Sequence, residues 1–236
     1  MKKTVLLAAF ACCAIVMNAQ NPKGTFSIKP VAGINVVGLS GGSHSDMFKS
    51  KVGFTAGAEA EYGVSDWLGV SLGALYSQQG AKIDNFEIQL DAVTKNTGKL
   101  KSHYLNLPLL ANVYIPGVRG LAVKAGVQLG FCLKSEIEVT TEISPGFSSL
   151  ATEFNFQKIG MTETGVCKSV DFGIPVGLSY EYKNIVLDAR YYIGLTKVGK
   201  VGEVYQILSD DHFDHPVITS SRNSYFSFTL GYRFHL

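Results

Sequence analysis

Through most of this chain, bulky apolar residues recur at every second position. The closing stretch "YFSFTLGYRFHL" places Phe226, Phe228, Leu230, Tyr232, Phe234 and Leu236 on one parity. Ser227, Thr229, Gly231, Arg233 and His235 fall on the other. Successive side chains of a strand point to opposite faces, so this period predicts a β-strand with one oily and one polar face. The runs "GFTAGAEAEY", "WLGVSLGALYS", "LAVKAGVQLGFCLK", "DFGIPVGLSYEY" and "IVLDARYYIGL" repeat the pattern. Two others, "KPVAGINVVGL" and "HYLNLPLLANVYIP", alternate less regularly. Proline cannot donate to a ladder, so Pro108 and Pro175 each predict a bulge or a local break. The expected total is eight strands, centred near residues 33, 57, 73, 109, 127, 175, 191 and 230.

The intervals between them carry more information than the strands. Three are short: "GVSD" around Val64, "PGVRG" around Gly117, and Lys183–Asn184. Four are long and polar, covering roughly residues 39–50, 84–100, 138–166 and 199–221. Alternating short and long connections is the pattern of an outer-membrane barrel, with short periplasmic turns and long extracellular loops. The fold class expected is therefore all-β: an eight-stranded antiparallel up-and-down transmembrane β-barrel. An even strand number returns both termini to the periplasmic side. The loop "SEIEVTTEISPGFSSLATEFNFQKIGMTETGVCK" alternates in part, so the hairpin carrying it is expected to project above the membrane.

Sorting residues by parity assigns the faces. The bulky set belongs against lipid. The other set is rich in Gly, Ser and Thr and holds Glu59, Glu61, Lys124, Asp171, Glu181, Asp188, Arg190 and Arg233. An eight-stranded barrel is just wide enough inside for side chains to fill it. Charges of both signs suit that filling, because buried charges persist when paired and hydrogen-bonded. Tyr62, Trp67, Tyr180, Tyr182, Tyr232 and Phe234 all lie near the short turns, as an interfacial aromatic girdle would. A soluble sandwich with an inward apolar face is the rival fold.

Composition adds a leader and subtracts several functions. "MKKTVLLAAFACCAIVMNAQ" has a basic start, an apolar run from Thr4 to Met17 and a small residue at Ala19. That is the layout of a secretory signal peptide covering residues 1–19, leaving 20–236 as the barrel domain. The apolar run is too short to span a bilayer as a helix. The formal charge of +2 comes from Lys2 and Lys3, and the rest holds 19 basic and 19 acidic residues. So even a balance offers nucleic acid no footprint. Beyond the leader only Cys132 and Cys167 remain, which is no disulfide scaffold, and two small buried hydrophobes is the preferred reading over a pair.

Candidate chemistry is sparse. "SDDHFDHP" gathers Asp210, Asp211, His212, Asp214 and His215 in the last long loop. Such a set could ligate a divalent cation or form an Asp/His catalytic pair, but a solvated polar loop is the preferred account. His44 between Ser43 and Ser45, and His103 beside Ser102, are the local offers of a nucleophile with its base. Both read as loop or strand-end polarity. No phosphate-binding glycine loop, CxxC or HExxH occurs. Accordingly no catalytic, cofactor or metal site is assigned, and an enzyme is not expected.

The stretches "HYLNLPLLANVYI", "GLAVKAGVQLGF", "DFGIPVGLSYEY", "NIVLDARYYIGLT" and "FTLGYRF" resemble the PorT-like outer-membrane β-barrel family of Bacteroidota. With "KVGFTAGAEAEYGVSDWLGVSLGALYSQQGA" the resemblance covers most of the chain. Asn106 stands where that family often has Glu in a Tyr-Leu-Glu-Ile-Pro box. The terminal aromatic strand resembles the signal read by outer-membrane assembly machinery, here with Phe234 followed by His235 and Leu236. The resemblance implies a cell outer-membrane location, with surrounding lipid and that machinery as partners. One branch of the family is tied to secretion and gliding, so envelope or secretion proteins are further expected partners. The expected role is non-enzymatic, structural or protein-binding; a small-solute channel, or a barrel enzyme acting on lipid or protein, are the alternatives.

Overall fold

A computed structural model describes residues 23–40, 48–80, 82–86, 93–144, 152–160, 169–197 and 222–236. Within them the chain forms β1 (Phe26–Ser40), β2 (Phe48–Lys49), β3 (Lys51–Ser65), β4 (Leu68–Gln79), β5 (Lys82–Phe86) and β6 (Val93–Tyr114). These are followed by β7 (Leu121–Ser144), β8 (Thr152–Gly160), β9 (Val170–Tyr182), β10 (Ile185–Lys197), β11 (Arg222–Tyr232) and β12 (Phe234–His235).

Eight of these strands close a ring in the order β6, β4, β3, β1, β11, β10, β9, β7 and back to β6. Every neighbouring pair is antiparallel. The first and last strands meet, with Val31 opposite Gly231 and Ser40 opposite Arg222. Closure leaves no edge in the ring, which a sheet crossing hydrocarbon requires. β12 continues β11, while β2, β5 and β8 are added above the ring.

At one end the connections are tight. Lys183 and Asn184 both take positive φ, 47° and 69°. Two such residues make the hairpin turn whose twist matches the strands it joins, and Asn is among the residues that tolerate it. Arg233 N–H donates to Asn184 O at 2.7 Å, and Asn184 Nδ2 donates back to Arg233 O at 2.9 Å. That exchange ties the turn to the end of the chain.

The other end departs from the expected loops. Residues 84–100, read as loop, hold the end of β5 and the start of β6 from Val93, and 138–166 holds the end of β7 and all of β8. β6 and β7 are 22 and 24 residues long, against 11 to 15 for the other six strands of the ring. They stay paired from Tyr114–Ala122 at the short-turn end to Val93–Ser144 at the other. The excess is about 10 residues, or ~30 Å of strand beyond the rim. An extension beyond the ring is thus present, but its base is the β6–β7 pair with β8 added alongside β7. Period-two reading missed β8 and the upper part of β6 because their polar residues match a loop by composition.

The prolines open local breaks, one of the two outcomes expected of them. At Pro108 the β4–β6 ladder skips from Leu72–Leu109 to Leu75–Asn106 and resumes in the same register. At Pro175 the β7–β9 ladder skips likewise between Ala125–Val176 and Gln128–Gly173. Each missing amide opens a short gap and no extra residue is inserted, so the break occurs and the bulge does not. Pro30 does the same between β1 and the last strand: pairing stops at Val31–Gly231 and returns at Ile28–Phe234. The division of that strand into β11 and β12 follows from this gap.

Candidate functional site

The faces fall as parity predicts. Phe54, Leu72, Leu109, Leu178, Leu187, Phe228 and Leu230 are exposed on the outside, while Lys29, Glu59, Glu61, Lys124, Asp188, Arg190 and Arg233 are buried inside. Tyr62, Trp67, Tyr180, Tyr182, Tyr232 and Phe234 stand exposed around the short-turn end. Tyr232 and Phe234 pack ring to ring at 4.8 Å, and the Lys183 ammonium lies 5.5 Å from the Tyr182 ring centre.

Inside, polar side chains stack in three tiers. Nearest the short turns, Arg233 Nη1 lies 3.1 Å from Glu61 Oε2 and Nε lies 2.9 Å from Glu181 Oε2. Arg233 also donates to Ser27 Oγ at 3.0 Å and to the Tyr114 hydroxyl at 3.2 Å, and that hydroxyl donates to Glu61. Above it, Lys29 and Glu59 face each other across β1 and β3, with Nζ 2.8 Å from Oε2. Arg190 bridges Glu59 Oε1 at 2.5 Å and Asp188 Oδ1 at 2.5 Å, and Lys124 Nζ reaches Asp188 Oδ2 at 2.6 Å. The middle tier sets three cations against two carboxylates and the lower tier one cation against two, so the two tiers together balance.

The third tier, toward the long connections, is aromatic and amide. Tyr192 and Tyr225 stack at 4.8 Å, and both pack with Val37. The Tyr225 hydroxyl accepts from Asn106 Nδ2 at 3.2 Å and Gln128 Nε2 at 2.9 Å. Asp171 accepts from the Thr196 hydroxyl and from Asn223 Nδ2 at 3.1 Å. Tyr104, Tyr192 and Tyr225 are each at most 5% exposed, so this tier caps the ion pairs below it.

The glycines of the inner parity make room for this filling. A Cβ on Gly69 would stand 2.5 Å from Glu61 Oε1, and one on Gly73 would stand 3.1 Å from Glu59 Cγ and 3.0 Å from Pro108 Cγ. On Gly130 it would meet Asn106 Oδ1 at 2.9 Å. Long charged and amide side chains cross the lumen where the adjacent position on the neighbouring strand is a glycine.

The residues singled out by chemistry do not converge. Ser102 and His103 lie on opposite faces of β6: Ser102 Oγ meets Ser135 Oγ inside at 2.8 Å, whereas His103 Nδ1 meets the Tyr76 hydroxyl outside at 2.5 Å. They cannot act as nucleophile and base. Ser43, His44, Ser45, Cys167 and the group Asp210, Asp211, His212, Asp214 and His215 lie outside the described residues. Cys132 is half-buried on the inner parity of β7. Parity could have found Lys29, which shares its face with Ser27 and Asn35. It could not have found the tyrosine tier, since Tyr192 and Tyr225 break the rule that aromatics face lipid.

Residues 18–199 match the family described as "Outer membrane protein beta-barrel domain". The chain belongs to that family. Its place is the outer membrane, and the bulky outer face of the barrel is its lipid-facing surface. Solved structures that it resembles include Neisserial surface protein A, at 16% identity and TM-score 0.41, covering 89% of this chain and 97% of that one. Ail of Yersinia pestis, in complex with the heparin analogue sucrose octasulfate, matches at 16% identity and TM-score 0.39, covering 90% and 99%. OprG of Pseudomonas aeruginosa matches at 12% identity and TM-score 0.45, covering 93% and 100%. At such distances the role of none of them transfers to this member of the family. No curated protein matches.

Proposed function

We propose that this barrel is a non-enzymatic outer-membrane protein with a closed lumen, whose work is structural or done by contact with other proteins at its long-connection end. The observation that carries this reading is the filled interior. Lys29, Glu59, Lys124, Asp188 and Arg190 interlock across the lumen beneath a lid of tyrosines, which leaves the projecting β6–β7–β8 ribbon as the largest feature among the described residues able to meet a partner. Envelope or secretion proteins are the partners this fits. The resemblance to PorT-like barrels of Bacteroidota supports the same assignment. Export through cleavage after Ala19, and insertion by the assembly machinery reading the terminal aromatic strand, complete the proposal.

Planar-bilayer recording tests the central point. The purified protein is expected to give no discrete conductance steps, because an eight-stranded ring holds side chains where a pore would hold water. Reproducible steps that scale with protein added would establish a small-solute channel and overturn the closed-lumen reading.

A further inference from the structure

Among the described residues of the ring strands, the outward cations stand at the long-connection rim, while Lys183 and Arg119 lie in the short turns. At the short-turn end the outward residues are aromatic. At the long-connection end, β6 and β7 place polar groups just above Leu105, Phe131 and Leu133. A β-bulge there changes which way a side chain points. Tyr104 pairs with Cys132 but His103 pairs with Lys134, so Leu133 is an extra residue on β7. Without it, alternation from Gln128 and Gly130 would turn Lys134 into the lumen. With it, Lys134 projects outward beside His103, its side chain 59% exposed, and Ser135 turns in to meet Ser102. Bulges commonly re-aim side chains in this way.

Lys101, His103 and Lys134 therefore share the outer face of adjacent strands, with Tyr76 and Gln78 on β4 next to them. The Tyr76 hydroxyl holds His103 Nδ1, and Glu136 lies 2.6 Å from Lys134 as the acid of the group. Across the ring, at the same end, Lys197 on β10 stands directly opposite Arg222 on β11, both exposed. Like charges placed opposite each other repel unless an anion lies between them.

We propose that this collar is a docking surface for phosphorylated headgroups of the lipids in the leaflet on the long-connection side. Charge complementarity selects that occupant. Cations just above a lipid-facing apolar belt sit where headgroup phosphates lie, and long basic side chains reach that level while their stems stay on apolar surface. At the opposite rim the strands end in aromatics, and the cations Lys183 and Arg119 lie on the turns between strands.

The test uses the full barrel folded into nanodiscs of phosphatidylcholine and phosphatidylglycerol in equal parts. Lipids retained after mild detergent extraction are counted by native mass spectrometry. Wild type is expected to keep phosphatidylglycerol over phosphatidylcholine, and K101Q/K134Q to lower that preference several-fold. K183Q/R119Q, on the short turns, should leave it unchanged. Equal preference in K101Q/K134Q, or an equal drop in K183Q/R119Q, overturns the proposal. Complete displacement of lipid by free inorganic phosphate would also overturn it, by showing a site for soluble anion instead of a headgroup. The heat-shifted gel band reports folding of each variant. Should the double variant fail to fold, the salt dependence of the wild-type preference decides: the docking surface requires it to fall as salt rises, and no change refutes it.

Discussion

Replacing Asp188 by Asn tests whether the lumen is a dry, interlocked filling. The change keeps the shape and removes one charge. Asp188 now faces Lys124 at 2.6 Å, Arg190 at 2.5 Å and Lys29 at 4.0 Å, all three nearly fully buried. At an effective dielectric near 20, the Lys124 contact alone represents a gross attraction of ~6 kcal/mol, which desolvation largely offsets in the intact network. In D188N the attraction disappears while the burial cost of the cations remains, and three buried cations are left with Glu59 alone. Breaking a buried pair in this way costs about 3–5 kcal/mol. With a guanidinium slope of roughly 4 kcal/mol/M, the unfolding midpoint should fall by about 1 M. The assay is a titration of barrel folded in lipid vesicles, followed by Trp67 fluorescence and the heat-shifted band. Removing Lys124 as well, in D188N/K124M, should restore about 1–3 kcal/mol, since the second change deletes the orphaned cation. A loss below ~1 kcal/mol for D188N, the value of a solvated surface pair, would refute the dry-lumen account.

Three further outcomes are expected. Gly73→Val would push a branched side chain into Glu59 and Pro108, and overpacking should cost about 1–3 kcal/mol by the same titration, whereas Ala58→Val on the lipid face should be near neutral. Asn184→Val places a β-branched residue at φ 69° and is expected to lose about 1–2 kcal/mol, with Asn184→Gly close to wild type. Trp67, 48% exposed at the short-turn end, should be quenched most by lipids labelled near the headgroup and poorly by iodide in solution; the reverse order would show that this end stands clear of the bilayer.

Much of this architecture was legible in the sequence, because lipid imposes a harsh rule. Each strand must show hydrocarbon-compatible side chains at alternate positions, and Phe226, Phe228 and Leu230 obey it as plainly in the sequence as in the barrel. Parity likewise placed Glu59, Asp188 and Arg190 inside. It could not say that Arg190 would join Glu59 to Asp188, because those partners come from strands far apart in the chain and meet only on closure. The bulge at Leu133 was also hidden: a single inserted residue leaves the local alternation intact on both sides and merely reverses its sense. Beyond the rim no lipid enforces the period, so β8 and the upper part of β6 looked like loop.

The seam between β1 and the final strand has a consequence for how the protein forms. Arg233 and Ser27, 206 positions apart, are hydrogen-bonded across it, and Lys29 depends on Glu59 and Asp188 from β3 and β10. Contacts that distant in sequence carry a large loop-closure entropy and form slowly. Until the last strand docks, Arg233 is missing from the lower tier and Glu61 and Glu181 repel each other without their shared cation. A nearly complete sheet therefore gains little from its interior, and the whole polar network becomes favourable in one step when the ends meet. Assembly should look all-or-none, with the open sheet as its slow and vulnerable species.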